Sequence, residues 1–272
     1  ELEKFRGLKR GNLFKPFVLR DSMEKENSYT NDYLLDRQVK ILQPVDGYRA
    51  STDAVFLSSL VDGKKIKENA AVLDVGSGTG AVSLCLAARL SEKKLKITGL
   101  DIQADLVKLS NQSSVANGFA DFLHYEYADI RNGVSLVPGS FDVVITNPPY
   151  SDHDMPSPNT GKQLAHNLQN FSLFEWLVFC LKMLKPKGEV FVINRAEAVN
   201  EILAALHNRA GEVRLLPIYS KSGREAKRIA VIAKKGTRGI TRILPPFYVH
   251  NEDGSYAETA EKILRKGCGY FD

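Results

Sequence analysis

Between residues 70 and 235, short apolar runs alternate with longer stretches in which apolar positions recur at helical spacing, and this alternation predicts the elements. Strands are expected at "AAVLDV" (70–75), "KITGLD" (96–101), "FLHYEY" (122–127), "FDVVIT" (141–146) and "GEVFVIN" (188–194). Helices are expected from Ala81 to Leu90, Gln103 to Asn117, Phe171 to Leu184 and Ala196 to Ala210, with Gly118 ending the second. "EVRLLPIYS" (212–220) and "KRIAVIAKK" (227–235) read as a closing hairpin over a basic loop. Upstream, "LLDRQVKIL" (34–42) reads as one short strand before a turn from Gln43 to Gly47. "STDAVFLSSL" (51–60) reads as a helix capped by Ser51 or Thr52, with Asp53 complementing its dipole. Strands and helices in such alternation build a mostly parallel sheet with helices on both faces. The expected organisation is a basic extension (1–33), one catalytic domain (34–244) and a C-terminal tail (245–272).

The 272 residues, 43% of them hydrophobic, suffice for one large core. No apolar run is long enough to span a bilayer, and the first residues lack the apolar stretch of a secretion signal, so a cytoplasmic location is expected. Cys85, Cys180 and Cys268 lie far apart, which argues against both a disulfide framework and a metal site; the first two read as small core hydrophobes. The net charge of +5 is unevenly placed: residues 1–20 hold six Lys or Arg against Glu1 and Glu3, and residues 214–242 hold nine against Glu225 alone. Such one-sided clustering points to a polyanionic partner.

In an open parallel sheet, ligands bind beyond the carboxyl ends of the strands. "LDVGSGTGA" (73–81) falls at such an end, with Gly76, Ser77, Gly78 and Gly80 between strand and helix, where backbone amides can face an anion. Taken alone it is ambiguous. Gly76-x-Gly78-x-x-Ala81 also meets the dinucleotide fingerprint, with Asp101 where a ribose-binding acid belongs, so a non-catalytic nucleotide-binding module stays open. Asp74, just before the glycines, suits a ligand that carries an ammonium group in place of a pyrophosphate. S-adenosylmethionine has that form: its carboxylate would meet the helix amides, its amine Asp74 and its ribose Asp101. Asp129 would then accept from the adenine amino group, with Ile102 and Ile130 bracketing the ring.

"ITNPPYSDHD" (145–154) closes another strand on the same side, and its two prolines forbid helix there. An exocyclic amine or a side-chain amide is a poor nucleophile because its lone pair is delocalised. The Asn147 side-chain oxygen and the Pro148 carbonyl can each accept one N–H, with Pro149 stiffening the turn, and Tyr150 offers a face on which a planar target can stack.

The acids and glycines together resemble class I S-adenosylmethionine-dependent methyltransferases. That resemblance implies a Rossmann-like fold: a mostly parallel seven-stranded sheet, helices on both faces and a C-terminal antiparallel hairpin. Asn147 to Tyr150 resembles the (N/D)-P-P-(Y/F) signature of amino-methyltransferases. "QPVDGYRASTDAVFLSSLV" (43–61) is similar to the stretch before the glycine loop in bacterial tRNA(Val) adenine-N6 methyltransferases, which act on an anticodon-loop adenine. This resemblance implies RNA, tRNA first, as partner, and places Thr52 beside the methionine end of the cofactor. In "QLAHN" (163–167), His166 aligns with that family's Ala-Arg-His element but the arginine is absent, so His166 is divided between RNA contact and helix capping. Lys221, Arg224, Lys227 and Arg228 are expected on RNA phosphates. Guanine-N2 methyltransferases of rRNA and glutamine-N5 methyltransferases of release factors share the motif; the latter carry an N-terminal helical domain for which the residues before Leu34 are too few. Trp176, at helical spacing with Phe171, Phe174 and Phe179, is expected in the core.

Overall fold

A computed structural model describes residues 29–47, 49–149 and 171–272. The chain opens on an antiparallel hairpin, β1 (Tyr29–Leu34) and β2 (Val39–Pro44). The single strand expected over 34–42 is therefore a turn followed by β2. Leu35, Asp36 and Arg37 all adopt positive φ, yet Leu35 is buried beneath the turn, so the apolar alternation runs unbroken through a reversal of the chain. The β2 backbone is capped by the helix α3 (Ala104–Ala116) and its C-cap: Lys40 N–H donates to Asn117 Oδ1 at 2.9 Å, Asn117 Nδ2 donates to the Lys40 carbonyl at 2.6 Å, and Leu42 N–H donates to Ser113 Oγ at 2.9 Å. These bonds occupy backbone groups that would otherwise be open to another chain.

The main sheet contains β3 (Ala71–Val75), β4 (Lys96–Asp101), β5 (Leu123–Tyr127), β6 (Phe141–Thr146), β7 (Leu184–Arg195), β8 (Ala210–Tyr219) and β9 (Ala226–Lys235). Its spatial order is β5-β4-β3-β6-β7-β9-β8. β5 through β7 pair in parallel, and β9 runs antiparallel to both β7 and β8. The seven expected strands and the closing hairpin are present, and the two-residue strands β10 (Arg242–Ile243) and β11 (Phe247–Tyr248) extend the edge along β8. The chain leaves β3 towards β4 on one side and reaches β6 on the other, which opens a crevice between the loops that follow β3 and β6.

Each central strand feeds two cores. Val72, Val143 and Ile145 pack with α1 (Thr52–Ser59) and α2 (Ala81–Arg89), whereas Leu73 and Val144 pack with α4 (Leu173–Met183) and α5 (Val199–Leu206). Burial on both faces explains why these strands read as continuous apolar runs. Cys85 and Cys180 lie one in each core; burial raises both thiol pKa values, Cys85 to about 12, so both remain protonated as small hydrophobes. The helix expected over 196–210 is shorter, because Asn208 at positive φ ends it and β8 begins at Ala210.

The expected boundary at residue 34 falls at the last residue of β1, inside the hairpin. Residues 245–272 pack into the same body. Phe247 is 5% exposed and meets Phe56 edge-on at 5.1 Å between ring centroids, and α6 (Glu258–Lys266) buries Ala260 and Ile263. Tyr270 N–H donates to the Ser59 carbonyl at 2.8 Å.

Candidate active site

The turn after β3 is pinned from β4: the Leu100 carbonyl accepts from both Gly76 N–H and Ser77 N–H at 2.9 Å. Gly80 has φ +83°, and a Cβ there would collide with the Tyr125 hydroxyl, which itself donates to the Gly80 carbonyl at 3.2 Å. A side chain at that position is excluded by both conformation and space. Asp101 braces the turn from the end of β4, its Oδ2 accepting from Gly78 N–H at 2.8 Å and its Oδ1 from Gln103 N–H at 2.8 Å. Burial raises the Asp101 pKa, and the backbone donors hold it back. Each carboxylate oxygen has a second lone pair, so Asp101 keeps acceptor capacity for a ribose hydroxyl.

Asp74 sits behind the turn at 1% exposure. Its Oδ2 accepts from Ser83 Oγ at 2.5 Å, while Oδ1 is buried without a hydrogen-bond partner among the described residues. Burial pushes its carboxyl up to about 7, against the Ser83 bonds and with a further push from Asp101. Ser77 Oγ and Thr79 Oγ1 are likewise buried without partners among the described residues. Orphaned acceptors and hydroxyls around a backbone cradle are what a ligand with an ammonium group and hydroxyls would satisfy. The residues present fit S-adenosylmethionine.

Across the crevice, β6 ends in Thr146, fully buried, whose hydroxyl donates to the Val75 carbonyl at 2.7 Å and accepts from Trp176 Nε1 at 2.9 Å. Asn147 follows, with its Oδ1 buried and unpartnered among the described residues; Pro148 is buried and Pro149 exposed. An amide oxygen in that state is an acceptor awaiting a donor. Trp176 is half-buried, and its ring edge lies against Gly76, where a Cβ would stand 2.8 Å from Trp176 Cζ2. Trp176 packs against the second core, as expected, and its indole also reaches the glycine turn and the end of β6. Tyr150 and His166 lie outside the described residues.

The methyltransferase small domain family model matches residues 51–216, which span both the glycine turn and Asn147. The chain belongs to this family. It is an S-adenosylmethionine-dependent methyltransferase with a class I fold, and S-adenosylmethionine is its cofactor. Among similar proteins is one from Dyadobacter fermentans named tRNA1(Val) (adenine(37)-N6)-methyltransferase, 25% identical over 82% of this chain and 91% of that one. A protein of the same name from Actinobacillus pleuropneumoniae is 24% identical over 80% of this chain and 89% of its own. Among solved structures, an Agrobacterium tumefaciens protein described as an O-methyltransferase superposes with TM-score 0.64 at 24% identity, covering 79% of this chain and 96% of that one. A Listeria monocytogenes protein described as a class I S-adenosylmethionine-dependent methyltransferase gives TM-score 0.51 at 15% identity, covering 75% of this chain and 67% of that one.

The remaining expected site residues of this methyltransferase divide into those the fold gathers and those it uses otherwise. Ile102 and Ile130, both half-buried, follow β4 and β5, and Ala128 N–H donates to the Asp101 carbonyl at 2.9 Å, which brings the two strand ends together. Asp129 is engaged within its own turn: Arg131 Nε and Nη2 donate to its two oxygens at 2.7 and 2.6 Å, and Asn132 adds a third bond at 3.0 Å. Those Arg131 bonds hold its carboxyl below the usual range. Adenine recognition by Asp129 would have to share these contacts.

Thr52 is exposed at the start of α1, and the next residue, Asp53, bonds Arg228 Nε through Oδ2 at 2.8 Å. Arg228, expected on an RNA phosphate, is thus tied to α1. Register places the basic loop on the crevice edge, since Arg228 at the start of β9 pairs with Arg195 at the end of β7. There Arg224 and Lys227 are exposed, and Lys221 donates to the Glu252 carbonyl at 3.0 Å. Among the described residues no cluster suits a metal ion, and no helix is long and apolar enough to cross a membrane. Sequence reasoning missed Ser83, Thr146 and the reach of the Trp176 indole to Gly76 and Thr146; no local signal marks the first two, and the apolar spacing around Trp176 marks only its core packing.

Proposed function

We propose that this methyltransferase transfers a methyl group to the N6 amine of an adenine in RNA, an anticodon-loop adenine of tRNA in particular. The observation that carries this reading is the Asn147 Oδ1 just after β6, buried and without a hydrogen-bond partner among the described residues; β6 is paired with the strand that the glycine turn follows. The names of the relatives support adenine and tRNA, and the exposed cations at the same edge support a polyanion.

S-adenosylmethionine supplies, when bound, a methyl group on a positively charged sulfur. Asp74 would hold its ammonium group, which keeps the carboxyl ionised in spite of burial, and Asp101 would hold ribose hydroxyls. Asn147 Oδ1 and the Pro148 carbonyl would each accept one N–H of the target amine. Both bonds draw the nitrogen towards tetrahedral geometry and turn its lone pair to the methyl group. Neither acceptor needs to take a proton, because the nitrogen becomes acidic as its new bond forms and sheds the proton to water. Positioning then supplies most of the acceleration, as in other reactions where two groups are aligned in one site. Tyr150 would stack on the base, and the exposed Lys227 and Arg224 would hold flanking phosphates. A loop base is already unstacked, which removes the cost of extrusion from a duplex. An RNA substrate also accords with a cytoplasmic location.

Incubation with methyl-labelled cofactor and total cellular RNA, followed by mass spectrometry of the nucleosides, tests the reading. N6-methyladenosine in the tRNA fraction is the expected product. Label in guanosine, or in release-factor glutamine when protein is offered, would replace adenine as the target.

A further inference from the structure

Trp176 closes a circuit that neither the glycine turn nor the Asn147 turn completes alone. Its Nε1–H donates to Thr146 Oγ1 at 2.9 Å, and the Thr146 hydroxyl donates onward to the Val75 carbonyl at 2.7 Å. Val75 immediately precedes Gly76, Thr146 immediately precedes Asn147, and the two are register partners across β3 and β6. The indole edge then returns to Gly76, which lacks the Cβ that would occupy the same space. The indole is itself held. α4 begins in a capping box in which Ser172 and Glu175 satisfy each other's backbone amides, Trp176 N–H donates to the Ser172 carbonyl at 3.0 Å, and Phe171 meets the ring edge-on at 6.3 Å. The capping box satisfies orphan amides of the first turn, from which Trp176 projects.

We propose that Trp176 is a positioning residue: it sets the distance between the glycine turn, where the methyl donor lies, and Asn147, where the target amine lies, and its indole forms part of the wall of the cofactor site. The proposal rests on the methyl-transfer reading above. The tryptophan N–H takes one acceptor lone pair of the Thr146 hydroxyl, whose proton goes to the Val75 carbonyl. That arrangement locks the two strand ends at one spacing. In-line transfer between them is sensitive to this, since a displacement of roughly 1 Å costs about 100-fold in rate.

Trp176 is the one tryptophan in the 272 residues, so its emission reports this place alone. Titration of the wild-type chain with S-adenosylhomocysteine should change the emission, saturating at the affinity measured by calorimetry. Trp176→Phe keeps a ring against Gly76 but removes the N–H. It should lower kcat about tenfold or more while KM for the cofactor rises no more than about threefold. Thr146→Val should do the same, and Thr146→Ser, which keeps both hydrogen bonds, should restore kcat to within about twofold; this pair answers the question even if the tryptophan variant folds poorly. Calorimetric binding with unchanged emission would overturn the wall assignment. A kcat within about twofold of wild type in both Trp176→Phe and Thr146→Val would overturn the positioning role. Failure of the wild-type chain to bind S-adenosylhomocysteine at all would instead overturn the cofactor site itself.

Discussion

A carboxylate sealed behind a glycine turn is costly unless a cation reaches it, and Asp74 makes that cost measurable. Its folded pKa of about 7 lies above the ordinary 3.8, so the folded chain binds the proton more tightly than the unfolded one. Ligand-free stability therefore falls from this group as pH rises from 3.8 towards 7, and on the proposed reading an incoming ammonium relieves the cost of ionisation. Affinity for S-adenosylhomocysteine should rise with pH, by up to about tenfold per unit below 7, with proton release on binding. Calorimetry in buffers of different ionisation heat checks this; Asp74→Asn should abolish the slope, and a pH-independent wild-type affinity would remove Asp74 from the ammonium's contacts. Asn147 is the complementary case, an acceptor whose partner, on the proposed reading, arrives with the substrate. Asn147→Ala should abolish methyl transfer and leave S-adenosylhomocysteine affinity within about twofold, measured by product formation and calorimetry side by side. Both residues were legible in the sequence because their chemistry depends on immediate neighbours, Asp74 on the glycines after it and Asn147 on its prolines.

At the scale of elements, legibility followed burial. β3, β6 and β7 are buried on both faces and read directly as apolar runs, whereas "LLDRQVKIL" reads as one strand because buried Leu35 continues the alternation through a turn. The hairpin β1–β2 is held to α3 by Asn117, whose amide serves both the donor and the acceptor of Lys40. Asn117→Ala leaves that peptide group without its partners and should destabilise the chain by about 1–3 kcal/mol. Thermal unfolding should shift down by several degrees, and hydrogen exchange should speed up over 29–44 more than over β3. Equal protection in mutant and wild type over the hairpin would show that the apolar contacts of Val39 and Ile41 carry the docking without it.

The whole molecule brings its opposite halves to one edge. Strand order carries the β8–β9 loop to the side where β3 and β6 end, although these segments are far apart in sequence. Exposed Arg224 and Lys227 and paired Arg228 then differ in kind. Neutralising Arg224 and Lys227 should weaken RNA binding and reduce the salt dependence of log affinity by about 0.7 for each phosphate no longer neutralised, measured by titration at several salt concentrations. Arg228→Ala should leave that slope unchanged and lower stability by about 1–3 kcal/mol, because Asp53 is deprived of a partner; a flattened slope in this variant would return Arg228 to the phosphates. By itself the sequence determined the repertoire of this protein: the alternating elements, the acid and glycine cradle, and an amide followed by two prolines. Those are properties of adjacent residues, and backbone sterics and side-chain chemistry set them locally. Only the tertiary structure decided the pairings, Asp53 with Arg228 across 175 positions and Trp176 with Thr146 across 30, and with them which residues remain open to a ligand. Strand order and register choose each side chain's neighbours, and spacing along the chain does not encode that choice.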